Sequence, residues 1–382
     1  MTSVVAILVL AIVIVGSNSL LLSPILPDLA RDFGTEPETV ALAISAYGLA
    51  TALSAALFGR QIDRLGARLA LIGALAVIAL AMIKSAFAPH WAWLVFAQAI
   101  AGLGAGVALP ATYTLATALA PKGYETRWLG RVLTGWSISL VAGIPTAALI
   151  ADHLGWRSAY VLLAFLAALA CIAVFLTMRG ETEPHATAPQ AFWSPLSVPT
   201  VKSLLLVCAA YMVAFYGVYA YLGDHLRSET GGGAGAIGLI VLGYGLGFGL
   251  GGLGDGILDR WGTRRLFPLC LAAIAAVYAV LGLLHDSIAL VTAIAFAWGV
   301  ANHFGLGALL VLLGEADPRR RGAILGLNSA VTYIGASLGT WSFGLIYGAV
   351  GFQPLPVIAC LLLVAAACLS LRLVPVQATS AG

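Results

Sequence analysis

The chain has 382 residues, 61% of them hydrophobic and 9% charged, with a formal net charge of +3. Soluble domains carry about 25% charged residues, so this composition excludes a soluble globular protein. No basic patch interleaved with aromatics is present, which removes nucleic acid as a partner.

A helix needs about 20 apolar residues to cross hydrocarbon. Twelve segments qualify, near 4–26, 38–58, 68–88, 92–113, 128–150, 157–178, 202–223, 235–256, 265–284, 288–313, 321–347 and 354–374. The first follows a start without basic residues and is long enough to span, so it reads as a retained helix and not a cleaved signal. It carries Ser17, Asn18 and Ser19, then Asp28. The second carries Tyr47 and leads into Gly59, Asp63, Arg64, Gly66 and Arg68; the fourth carries Gln98 and Tyr113. In the fifth, Gly135, Gly143 and Pro145 remove bulk and one backbone donor, which permits close packing and a bend. Trp136 lies in the same span, and Gly155-Trp156-Arg157 follows it.

Residues 179–201 hold Glu181, Glu183 and four prolines, and read as a polar linker between domains 1–178 and 202–382. The seventh span carries Tyr211, Tyr216, Tyr219 and Tyr221 and ends at Asp224-His225. Tyr216 and Tyr219 are three apart and share a face, while Tyr221 beside Asp224 fits an interfacial aromatic belt. Tyr244 lies in the eighth span, Asn302-His303 in the tenth, and Asn328 and Tyr333 in the eleventh.

Two stretches repeat each other. Tyr47-Gly48-Leu49 matches Tyr244-Gly245-Leu246, and Asp63-Arg64…Gly66…Arg68 matches Asp259-Arg260…Gly262…Arg264. A repeat near half the chain length indicates two joined membrane halves. Placing both termini in the cytoplasm leaves only Arg31, Lys84, Arg157 and Arg227 outside and the other fifteen of nineteen Lys and Arg inside, which satisfies the positive-inside rule. The five cysteines all lie in apolar runs and form no C-x-x-C pair, so they read as small buried hydrophobes. No metal centre and no cofactor are expected.

The loop from Gly59 to Arg68 resembles the signature G-x-x-x-D-R-x-G-R-R between helices two and three of the major facilitator superfamily, with Ala67 at the first of the two basic positions. In the second copy Asp255 stands where Gly is usual. Leu133 to Pro145, followed by Gly155-Trp156-Arg157, resembles helix five of the drug:proton antiporter-like branch and, within it, the sugar-efflux or arabinose-efflux permeases. The resemblance spans nearly the whole chain. It implies an all-α integral membrane protein, twelve transmembrane helices in two six-helix bundles related by pseudo-two-fold symmetry, which rock about a midplane site lined by helices one, four, seven and ten.

On that fold Asn18, Tyr47, Gln98, Trp136, Tyr216, Tyr219, Tyr244, Asn302 and Asn328 are expected to bind substrate. His303 is the expected proton carrier, since imidazole changes charge between pH 5 and 8, with Asp28 and Asp224 next. Gating falls to Gly59, Asp63, Arg64, Gly66 and Arg68, to Asp259, Arg260, Gly262 and Arg264, and to Gly143 and Pro145. Asp63 can meet the positive end of a facing helix, and Arg64 and Arg68 can hold carboxylates or headgroups; the same arginines also read as plain positive-inside anchors. The branch usually has an arginine four residues before the Gly of R-x-x-x-G in helix four. Here that position, counted back from Gly102, is Gln98.

The expected function is secondary active export of a small organic solute, a sugar, nucleoside or drug-like molecule, across the bacterial inner membrane by proton antiport, as a monomer. The alternatives are an importer or facilitator on the same fold, and a membrane sensor. No clustered Ser/His/Asp, H-E-x-x-H or phosphate-binding loop is present, so no enzyme is expected.

Overall fold

A computed structural model describes residues 2–121, 124–178, 193–254, 260–317 and 320–371; of these, the side chains of 2, 59–64, 125, 126 and 321 are not described. The described residues form helices and connecting turns, without strands.

Among the described residues, twelve long helices follow one another. They are α1 (Thr2–Phe33), α2 (Pro37–Leu65), α3 (Ala67–Ala86), α4 (Trp91–Ala118), α5 (Glu125–Ile138, continued through Ser139–Gly143 into Ile144–Leu154) and α6 (Trp156–Thr177). After the short turn Ser194–Ser197 come α7 (Pro199–Thr230), α8 (Ala234–Gly251), α9 (Thr263–Leu283), α10 (Ile288–Ala316), α11 (Arg321–Val350) and α12 (Pro354–Leu371). Each crosses the molecule once, so Thr2, Thr177, Pro199 and Leu371 lie on one side, where α6 ends and α7 begins. That side is called the linker side below, and the opposite one the far side.

Eleven of these helices are long and apolar enough to cross a membrane. The twelfth, α11, has the length but carries Asn328, Ser329, Thr332, Tyr333, Ser337, Thr340 and Ser342. It packs against both α2 and α7, and Asn328, Tyr333 and Thr340 are buried. A helix enclosed by protein on two sides needs less apolar surface than one facing lipid, which is why its composition is mixed. Close approach is bought by small residues: a Cβ on Gly48 of α2 would stand 2.8 Å from the Tyr333 carbonyl.

The starts of α3 and α9 are built alike. Gly66 has φ +79° and Gly262 φ +84°, a region where any Cβ is strained. The repeated glycine is thus a backbone requirement.

The bend expected at Gly143 and Pro145 takes a specific form. Ser139–Gly143 is a π-helical turn in which the Ile144 N–H reaches the carbonyl of Ser139. Pro145, with no N–H, follows at once, so the ordinary ladder would lose a bond there in any case.

Candidate functional site

Polar side chains gather where the two bundles meet at mid-height. From the first bundle, Asn18 Nδ2 on α1 donates to Gln98 Oε1 on α4 at 2.9 Å, and Gln98 Nε2 donates to Ser85 Oγ on α3 at 3.0 Å. Trp136 Nε1 on α5 donates to the Tyr113 hydroxyl on α4 at 3.3 Å. From the second bundle, Asn302 Nδ2 on α10 donates to the Tyr244 hydroxyl on α8 at 2.9 Å. Between them, Tyr47 of α2 meets Tyr333 of α11 edge-on at 6.3 Å, and Tyr216 of α7 lies within electrostatic reach of Tyr47, Tyr244 and Tyr333. Seven helices from both halves therefore supply amides and aromatic hydroxyls to one region, and none of these groups is charged.

The amide acceptors are incompletely used. Asn18 Oδ1, Asn302 Oδ1 and Asn328 Oδ1 are buried without a hydrogen-bond partner. Buried polar atoms are normally satisfied, so each of these oxygens lacks the donor it would ordinarily have.

Most substrate candidates fall in this region, with two adjustments. Tyr219 is turned to the partner bundle, and its hydroxyl donates to the Leu20 carbonyl of α1 at 3.0 Å. Tyr113 and Tyr333, named in the sequence as polar residues of their spans but not among the expected substrate ligands, belong to the cluster. Tyr221 requires a correction. It is no interfacial belt residue: it is 1% exposed, donates to the Thr340 carbonyl at 2.8 Å and stacks on Tyr347. His303 lies between α10 and α8, over Gly251 and edge-on to Phe248 at 5.2 Å.

The far side is closed by contacts between bundles at three helix pairs. At α1–α7, Arg227 makes a two-pronged ion pair with Asp28 (2.6 and 2.7 Å) and donates to the Pro24 carbonyl at 3.1 Å. Ser23 donates to the Tyr219 carbonyl at 2.5 Å. At α2–α11, Ser45 donates to the Ser337 carbonyl at 3.1 Å. At α5–α8, the Asp152 carboxylate accepts the Ala234 N–H at 3.0 Å, capping the N-terminus of α8 from the other bundle. Asp28 and Asp224, the secondary proton candidates, both sit in this layer, with Asp224 accepting a hydrogen bond from Tyr347. Arg227 and Asp152 are functional candidates that sequence reading missed.

The expected gating loops are partly visible. Arg68 donates to the Phe175 carbonyl at 2.8 Å, near the C-terminal end of α6. In this contact it holds a helix end, an arrangement the helix dipole favours. Arg260 and Arg264 are exposed. Asp259 and the side chains of Gly59, Asp63 and Arg64 lie outside the described residues. In α5, a Cβ on Gly135 would stand 2.8 Å from the Val9 carbonyl, and one on Gly143 would collide with Ser17 Oγ. Across the bundle boundary, Pro145 supports Gly238 of α8. The Gly155-Trp156-Arg157 motif anchors α1: both Trp156 Nε1 (3.2 Å) and Arg157 (2.5 Å) bond Asp32.

The model of the Major Facilitator Superfamily matches residues 8–226 and again 204–381. The chain belongs to the major facilitator superfamily. Similar members include an uncharacterized MFS-type transporter, YwfA, of Bacillus subtilis, 28% identical over 88% of this chain and 84% of that protein. The inner membrane transport protein YdhP of Escherichia coli K12 is 24% identical over 92% and 91%. The protein OpdE of Pseudomonas aeruginosa, named a transcription regulatory protein, is 26% identical over 92% and 88%. The superfamily frame agrees with the two-bundle architecture and makes this chain an integral membrane transport protein.

Proposed function

We propose that this protein exports a small uncharged organic solute, a sugar, nucleoside or drug-like molecule, from the cytoplasm across the bacterial inner membrane by alternating access, coupled to proton antiport. The observation that carries the reading is the shared cluster of amides and aromatic hydroxyls, in which two buried amide oxygens, Asn18 Oδ1 and Asn302 Oδ1, lack donors. Hydroxyl-bearing solutes provide those donors, and tyrosine faces suit their apolar edges. The contacts gathered on the far side correspond to the state closed toward that side. With both termini in the cytoplasm, as the Lys and Arg distribution demands, this is the state from which a cytoplasmic solute loads. The Escherichia coli relative's name supports the inner membrane.

Proton coupling through His303 rests on its titratable ring and its position about halfway along α10. A second reading, a facilitator or importer, is favoured by Gln98, which occupies the branch's usual arginine position and is tied to Asn18 and Ser85.

The test is transport in proteoliposomes across a panel of sugars, nucleosides and drugs, with and without a pH gradient. The proposal expects accumulation that requires the gradient. It also expects His303→Gln to lose accumulation while keeping downhill exchange. Downhill exchange alone in the parent would establish the facilitator. Absence of any transport would favour the regulatory role that the Pseudomonas relative's name carries.

A further inference from the structure

At the far end of the second bundle, three side chains with metal-ligating atoms converge from two places in the chain. His225 Nε2 lies 2.8 Å from His285 Nδ1, which lies 3.1 Å from Asp286 Oδ1. All three ligand atoms fall within 4.8 Å of one another. The rings are held in place. His225 stacks on Phe352 with centroids 4.5 Å apart and planes 6° from parallel, and His285 stands edge-on to the same ring at 5.9 Å. His285 is 16% exposed, whereas Asp286 is 80% exposed and leaves the site open to solvent.

Hydrogen bonding alone serves this arrangement poorly. His285 Nδ1 faces both a ring nitrogen and a carboxylate oxygen. With a proton, it satisfies the carboxylate but offers His225 no lone pair. Without one, it accepts from His225 and presents a lone pair to the carboxylate. A cation at the centre of the three atoms satisfies all of them in one protonation state. Tetrahedral zinc, with bonds of about 2.0–2.1 Å, places its ligand atoms roughly 3.3 Å apart, so the 2.8 and 3.1 Å spacings need to open by a few tenths of an ångström, while the His225–Asp286 spacing, which lies within 4.8 Å, is adjusted by rotation of the exposed Asp286 carboxylate. Glu229 follows His225 at i+4, on the same helix face, close enough for its charge to act on His225.

We propose that His225, His285 and Asp286 form a binding site for a divalent transition-metal ion, zinc or the neighbouring nickel and copper. Two imidazoles with carboxylate oxygen suit these ions, whereas magnesium and calcium prefer oxygen throughout. The ion would tie the end of α7 to the turn between α9 and α10. That end of α7 also carries Asp224, bonded to Tyr347, and Arg227, bonded to Asp28 across the bundle boundary. The site therefore stiffens the helix end that closes the far side, and it does not depend on which solute is carried.

The test uses full-length protein purified without a polyhistidine tag and stripped with a chelator. Cobalt is added as a spectroscopic probe and then displaced by zinc. One saturable ion per chain is expected, with the visible absorption of low-symmetry cobalt and a raised unfolding temperature. His285→Gln is expected to lower zinc affinity at least about 100-fold, and Asp286→Asn about tenfold. Because Asp286 is exposed, its variant tests the site even if a histidine variant fails to fold. No saturable binding to the parent, or unchanged zinc affinity in Asp286→Asn or in a folded His285→Gln, would overturn the proposal.

Discussion

Replacing Arg227 with Ala should loosen the closure of the far side more than any other single truncation in that layer. The guanidinium makes two charged bonds of 2.6 and 2.7 Å to Asp28 and a third of 3.1 Å to the Pro24 carbonyl. Its side chain is 10% exposed and that of Asp28 22%. Breaking a fully buried pair costs about 3–5 kcal/mol, because the surviving charge is left uncompensated, while an exposed pair is worth less than about 1 kcal/mol. Residual access of water to Asp28, and the ion pair that Asp28 keeps with Arg31 at 3.7 Å, place the loss below that range, at about 2–3 kcal/mol. It falls on the closed state alone, since separation of the bundles hydrates both charges. At about 1.4 kcal/mol per tenfold, the closed-to-open ratio should fall roughly 30- to 100-fold. Spin labels at the exposed positions Glu36 and Gln353, in a background without native cysteines, would report this as a new long component in the distance distribution by pulsed electron resonance. Asp28→Asn should act in the same sense, and the swap Asp28→Arg with Arg227→Asp should recover part of the closed population. A distance distribution in Arg227→Ala identical to the parent's would refute the reasoning and reduce the pair to a surface contact.

Two further substitutions test the α5 interfaces. Gly143→Ala places a methyl group against Ser17 Oγ and should lower stability by about 1–3 kcal/mol, whereas Gly130→Ala on the same helix, with open space around it, should gain up to about 1 kcal/mol from helix propensity; thermal unfolding in detergent gives both signs. Asp152→Ala removes the cap on the first turn of α8 and should cost about 1 kcal/mol, with faster hydrogen exchange at Ala234 that a merely surface role for Asp152 would not produce.

Much of this protein was legible because lipid imposes one-dimensional rules. A segment must satisfy its own backbone and present about 20 apolar residues, so the twelve spans could be read by counting. Gly66 and Gly262 could be read as turn glycines because their need for positive φ belongs to a single residue. Residue chemistry likewise nominated Asn18, Gln98, Tyr47, Tyr216, Tyr244 and Asn302, since polar side chains are rare in such spans. The mixed composition of α11 and the assignment of Tyr221 were less transparent, because both depend on what packs against a helix.

The sequence by itself determined the class, the number of crossings and the inventory of polar groups, all properties of a residue or of its near neighbours. Only the tertiary structure decided which of those groups meet. Asp28 pairs with Arg227 across 199 positions, His225 meets His285 across 60, and Asp152 caps a helix in the other half of the molecule. Each meeting is set by the rotation and depth of one helix against another. A shift of one residue turns a side chain by about 100° around its axis. Such an angle is fixed by small residues packing at helix crossings, as Gly48, Gly143 and Gly238 do here, and the pattern of apolar residues along the chain does not encode it.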